Sequence, residues 1–146
     1  MGDIKLINWN VRGLNCAARR EAVKILIQQA GPNIVCLQET KLDTVDSFLA
    51  SEFLGPIYTS FEYLVADCTR GGILVAWDPR LVHAETPTRQ RFSISLRITL
   101  KLSNTSFLLT SVYGPTDDGQ KACFLNELTG CQPAWEQHGY AWGISI

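Results

Sequence analysis

The clearest pattern along the chain is strict alternation: Phe92, Ile94, Leu96, Ile98, Leu100 and Leu102 are apolar, while Ser93, Ser95, Arg97, Thr99, Lys101 and Ser103 between them are polar. A period of two predicts a strand with one buried and one wet face. Asn104-Thr105-Ser106 then turns the chain into Phe107 to Tyr113, which predicts an antiparallel hairpin. Nearer the N-terminus the pattern is different. Ile4 to Asn10 reads as a strand, and Ala18, Ala22, Ile25, Leu26 and Ala30 mark one stripe of a helix capped by Asn15 and stopped by Gly31-Pro32. Arg19, Arg20 and Lys24 fall on its solvated side. Ile34 to Thr40 opens with four consecutive apolar residues, the mark of a strand covered on both faces. Strand, helix and strand at this spacing predict a βαβ unit with the two strands parallel.

Thr44 is expected to cap a short helix bearing Val45, Phe48, Leu49 and Phe53, which Gly55-Pro56 ends. Tyr58 to Val65 and Ile73 to Trp77 are strand candidates on either side of the turn-prone Asp67-Cys68-Thr69-Arg70-Gly71-Gly72. A third helix is expected over Gln120 to Leu128, ended by Gly130, and Tyr140 to Ile146 reads as loop or a frayed edge strand. No repeat, low-complexity tract or linker composition divides the chain.

Composition narrows the partners. With 146 residues, 46% hydrophobic and 18% charged, the chain is of single-domain size, and such a chain buries roughly 70% of its unfolded surface without disulfides. A net charge of -1 excludes the broadly basic surface of a nonspecific nucleic-acid coat, so any polyanion must be held by a local site. The 5 cysteines are odd in number and form no C-x-x-C pair, which predicts free thiols, no disulfide and an intracellular setting, nucleus or cytoplasm. No leader pattern and no apolar run of membrane-spanning length is present, so no membrane partner is expected.

Asn10 and Glu39 each end an apolar strand. If the strands are parallel neighbours, both side chains stand at one carboxyl edge of the sheet, where an amide oxygen beside a carboxylate suits Mg2+. The alternative is that both simply begin polar loops. Tyr113, before Gly114-Pro115, ends another strand in the same way and would otherwise serve as a ring covering the core. His83 and His138 are isolated and read as surface residues; Arg89 and Arg91 suit either a phosphate or a solvent-facing edge.

Four ordered segments, Ile7-Asn8-Trp9-Asn10-Val11-Arg12-Gly13-Leu14, Ile34-Val35-Cys36-Leu37-Gln38-Glu39-Thr40-Lys41, Gly71-Gly72-Ile73 and Val112-Tyr113-Gly114-Pro115, together resemble the endonuclease/exonuclease/phosphatase (DNase I-like) superfamily. Their wording is most similar to plant LINE-type (non-LTR) retrotransposon endonucleases. The resemblance implies an α+β fold, a truncated α/β/β/α sandwich with a mixed sheet and about three flanking helices. It implies a family domain part over 1–130 and a divergent tail over 131–146. By the resemblance, Glu39 and Asn10 hold the metal, Mg2+ or Mn2+, and act in catalysis with Tyr113. Arg12, which replaces an Asp common in other members, and Lys41 contact phosphate or nucleic acid, DNA first.

The family's Gly-Asp-x-Asn and Ser-Asp-His segments have no counterpart here. The expectation is therefore a fragment of a Mg-dependent phosphodiesterase with a weak metal site and lost turnover, since a general base typically supplies about 10²–10⁴-fold. An active minimal phosphodiesterase and a noncatalytic binding remnant are the alternatives. An exposed apolar sheet face, with self-association through it, is also expected.

Overall fold

The computed structural model describes residues 4–66, 71–114, 118–131 and 140–145. β1 (Leu6–Asn10), α1 (Ala17–Ala30) and β2 (Ile34–Gln38) form the anticipated βαβ unit, with β1 and β2 parallel and Asn10 level with Gln38. Gly31 closes α1 at φ 60, its N–H donating to the Ile27 carbonyl. The N-cap is Cys16, not Asn15. Asn15 instead donates its side-chain amide to the Lys41 carbonyl at 2.8 Å, tying the loop after β1 to the loop after β2.

The stripe expected to pack α1 faces the wrong way. Val23 and Ile27 are buried, whereas Ile25 and Leu26 are 44% and 48% exposed. The reason is Arg20, which turns inward: Nε donates to Glu52 Oε2 at 2.9 Å and Nη1 to the Leu14 carbonyl at 2.8 Å. That pairing seats α1 against α2 (Ser47–Leu54) by its charged side. α2 is capped by Asp46 rather than Thr44, with Asp46 Oδ1 accepting from Leu49 N–H at 2.7 Å, and Phe48 points to solvent.

β3 (Ser60–Leu64) and β4 (Ile73–Trp77) complete a first sheet in the order β1-β2-β4-β3, with β4 antiparallel to both neighbours. The second sheet runs β5-β6-β7-β8, from β5 (Val82–Arg89), β6 (Ser93–Leu100), β7 (Thr105–Tyr113) and β8 (Tyr140–Ser145). β6 and β7 form the expected hairpin, and β8 is an edge strand parallel to β7. β5 was not legible as a strand, because Pro87 and a register break between Glu85 and Thr88 interrupt it and most of it is exposed.

The apolar runs are explained by two cores. Val35, Leu37, Leu74 and Ala76 pack with Val23, Ile27 and Phe53 under the helices. Ile34, Cys36, Ile73 and Val75 pack with Ile94, Leu96, Ile98 and Leu109 between the sheets. β2 and β4 are thus buried on both faces, and the uncovered apolar face expected there does not exist. The alternating strand also departs from expectation at one end. Ser93 and Ser95 on its polar face are buried, their hydroxyls bonded to Glu127 Oε2 at 2.7 Å and Thr110 Oγ1 at 2.8 Å, and within β6, which ends at Leu100, only Arg97 is exposed. Glu127 belongs to α3 (Asp118–Cys131), which continues past Gly130 and lies over this end of the second sheet. The architecture is α+β, helix, sheet, sheet and helix in four layers.

Candidate functional site

At the carboxyl end of β1 and β2 three loops are joined through their backbones. Glu39 N–H donates to the Gly72 carbonyl at 2.8 Å and Lys41 N–H to the Gly71 carbonyl at 2.6 Å. The carbonyls of Glu39 and Thr40 in turn accept from Gly13 N–H at 2.7 Å and Leu14 N–H at 2.8 Å. The loop holding Glu39 is therefore clasped from both sides. Both loops are also bent hard: Arg12 after β1, and Glu39 and Lys41 after β2, take positive φ of 56°, 59° and 56°, a conformation costing an L-residue roughly 1–2 kcal/mol. Such strain persists only where surrounding bonds enforce it, and it collects at functional sites.

Gly71 decides how closely the side chains meet. A Cβ there would lie 3.0 Å from Glu39 Cγ and 3.1 Å from both Glu39 Cα and Tyr113 Cε1. Bare backbone at this position lets Tyr113, at the end of β7 in the second sheet, reach Glu39 at the end of β2 in the first. The Tyr113 ring thus stands against Glu39 across the bare Gly71 backbone. Burial first, and then the nearby Glu39 charge, push the Tyr113 phenol above its ordinary range, so it keeps its proton at neutral pH.

Lys41 Nζ lies 3.4 Å from Glu39 Oε1, more exposed than its partner. Asn10 Oδ1 accepts from Arg12 N–H at 3.1 Å, which fixes the turn leaving β1, and the Arg12 side chain is exposed in that turn. Asn10, Glu39, Lys41 and Tyr113 thus share one end of the sandwich, with Arg12 at its rim. Arg89 does not: it is ion-paired with Glu62, Nε to Oε2 at 3.1 Å. His83 sits on the exposed strand β5, 3.7 Å from Glu85. His138 and the turn at 67–70 lie outside the described residues.

Beneath the site is a polar group that sequence reasoning passed over. Gln38, fully buried, donates Nε2 to Ser111 Oγ at 3.2 Å and to Asn8 Oδ1, and its own Oε1 has no hydrogen-bond partner among the described residues. The signal available was only a polar residue closing an apolar run, which any strand end shows.

The donors suit a hard divalent cation, held weakly. Glu39 offers a carboxylate and Asn10 an amide oxygen with a second lone pair, which fits Mg2+, an ion that takes one or two carboxylates and completes its shell with water and phosphate. Among the described residues no group of three or more His, Cys, Asp or Glu side chains could hold a metal.

Comparison with known proteins agrees with the two-sheet fold. The human nocturnin catalytic domain with bound sulfate shares the fold at a TM-score of 0.72 and 14% identity, over 97% of this chain and 62% of that one. A mannosyl-6-phosphatase from Bacteroides thetaiotaomicron gives 0.67 and 10%, over 97% and 64%. D. rerio TDP2 complexed with a single-strand DNA product gives 0.66 and 15%, over 97% and 58%. The chain therefore spans less than two thirds of each of these structures. No curated protein matches it in sequence. The pattern of the Endonuclease/Exonuclease/phosphatase family, however, matches residues 7–142, and by that match, with a two-sheet fold and clustered strand ends to support it, the chain belongs to this family.

Proposed function

We propose that the chain binds a phosphodiester of nucleic acid, DNA first, together with Mg2+ or Mn2+ at the Asn10, Glu39 and Tyr113 end of the sandwich, and that binding outlasts turnover. The carrying observation is the approach of Tyr113 to Glu39 across Gly71, at the sheet edge where β1 also ends in Asn10. Glu39 and Asn10 are the residues that would hold the cation, whose chemistry when bound is to draw charge from phosphoryl oxygens and acidify water. Tyr113, kept protonated, turns its O–H toward a phosphate oxygen once Glu39 is engaged. Lys41 and Arg12 provide the positive rim that receives the flanking backbone. Arg12 in the turn after β1 also supports kinship with LINE-type retrotransposon endonucleases.

What limits turnover in this reading is that, among the described residues, no further proton acceptor is placed beside Glu39. Glu39 is committed to the cation, and His83, on the far edge strand, is paired with Glu85. Without a positioned base, about 10²–10⁴-fold in rate is forgone. A fluorescein-labelled single-stranded oligonucleotide, titrated by anisotropy with and without Mg2+, tests the site. Mg2+-dependent binding that weakens about tenfold in Glu39→Gln is expected. Binding indifferent to both Mg2+ and Glu39 overturns the site, and EDTA-sensitive plasmid nicking abolished by Glu39→Ala overturns the claim of lost turnover.

A further inference from the structure

The layer between the two sheets is apolar over most of its length and polar toward the site. In β2 the inward series runs Ile34, Cys36, Gln38, and in β7 it runs Leu109, Ser111, Tyr113. Gln38 and Ser111 are both buried, and Gln38 Nε2 donates to Ser111 Oγ at 3.2 Å. The same nitrogen donates to Asn8 Oδ1 of β1, which steadies the amide from the other side. One side chain thus links three strands in two sheets. Apolar contact has no direction and lets packed sheets slide by a fraction of a residue, whereas a hydrogen bond fixes both a direction and a separation. Glu39 follows Gln38 directly, and Tyr113 lies two residues beyond Ser111 on the same strand face.

We infer that Gln38 is a positioning residue: by tethering β7 to β2 through Ser111, it sets how closely Tyr113 approaches Glu39. The consequence for nucleic acid rests on the proposed phosphate site; the positioning itself does not. The two halves of the site are held by different means. Glu39 is fixed within the first sheet, where its N–H donates to the Gly72 carbonyl and its carbonyl accepts from Gly13 N–H. Tyr113 is fixed within the second, its N–H donating to the Phe92 carbonyl at 3.0 Å. None of these bonds joins one half to the other. Gly71 leaves room for the approach of Tyr113 to Glu39 but cannot enforce it. The ion pair of Arg89 with Glu62 also crosses between the sheets, but at their β5 and β3 edge, where Arg89 is half exposed and water weakens the pair. The bond from Gln38 to Ser111 crosses in the buried layer directly beneath the site, where a hydrogen bond is electrostatically stronger than in water.

Nuclear Overhauser contacts from the Gly71 α-protons test the inference, with melting curves confirming that each variant is folded. In the wild-type chain these protons are expected to show contacts to Glu39 Hγ and to the Tyr113 ring, both of which lie against that position. Gln38→Met, which keeps the length of the side chain without its amide, and Ser111→Ala each lose the Tyr113 contact. Both keep the Glu39 contact, because backbone bonds within the first sheet hold it. A merely structural amide would lower the melting temperature and leave both contacts in place. A Tyr113 contact retained in either folded variant therefore overturns the inference, as does loss of both contacts together, the mark of general loosening. If Gln38→Met melts early, Ser111→Ala decides alone. Mg2+-dependent binding of the labelled oligonucleotide weakens about three- to tenfold in each variant, the size of one hydrogen bond, and no further in the double variant, since both changes remove one tether. Losses that add overturn the shared tether. A wild-type chain that binds no oligonucleotide removes the phosphate site instead, and the Gly71 contacts then decide the positioning on their own.

Discussion

Gly71 is the residue on which the site's geometry turns. Its missing side chain leaves space filled by Glu39 Cγ and Tyr113 Cε1, and an added methyl would also press on the Glu39 backbone, which cannot rotate away. Gly71→Ala is expected to separate Glu39 from Tyr113 and weaken Mg2+-dependent oligonucleotide binding about as much as Glu39→Gln does, with a loss of about 1–3 kcal/mol in stability from the overpacking. Anisotropy and thermal melting measure the two effects. Asn10, Glu39 and Tyr113 were legible because each polar side chain closes an apolar strand. The role of Gly71 was not, since it arises from three segments far apart in the chain and shows in sequence only as half of a turn-prone pair.

Among the elements, α1 and α3 teach opposite lessons about charged residues. In α1 the sequence offers two apolar stripes, and the one containing Ile25 and Leu26 looks better; Arg20 overrides it because Glu52 of α2 and the Leu14 carbonyl receive its guanidinium. Periodicity cannot anticipate a partner 32 residues away. In α3, Glu127 acts as the latch of a helix with little apolar periodicity. Its carboxylate accepts from Arg91 N–H at 2.8 Å, Phe92 N–H at 3.0 Å and the Ser93 hydroxyl at 2.7 Å, while Phe124 meets the Phe92 ring edge-on at 5.7 Å. Glu127→Ala leaves those donors without their acceptor and is expected to cost about 1–3 kcal/mol. Hydrogen exchange should show α3 and the amides of Phe92 and Ser93 opening before the rest of the second sheet.

For the whole molecule, stability is expected to be greatest between the titrations of two buried groups at the end of the sandwich opposite the site. The Arg80 guanidinium, bonded to Asp78 at 3.0 and 2.8 Å, is the main cause holding the Asp78 carboxyl below its usual range, against the effect of burial. That contribution is complete above the unfolded carboxylate value of about 4 and is lost as pH falls through the lower folded one. Burial first, and the Asp78 charge next, raise the Tyr58 phenol, whose O–H donates to the Pro32 carbonyl at 2.6 Å. Its contribution is complete below about pH 10 and is lost as pH rises through the folded value. Asp78→Asn should flatten the acid limb of a melting-temperature profile and cost about 1 kcal/mol at neutral pH, a modest figure because Arg80 is largely exposed.

The sequence by itself determined the local plan: a parallel βαβ unit, a hairpin marked by alternation, three helices, and a family whose strand ends carry Asn10, Glu39 and Tyr113. These follow from interactions within a few residues, or from apolar runs that only a two-sided core can bury. Tertiary structure alone decided which face of α1 packs, that the polar face of β6 is half covered, that β5 exists at all, and that Glu39 meets Tyr113. Each of these depends on a partner distant in the chain, and such a partner contributes its hydrogen bond or excludes water only once the two sheets have closed on each other.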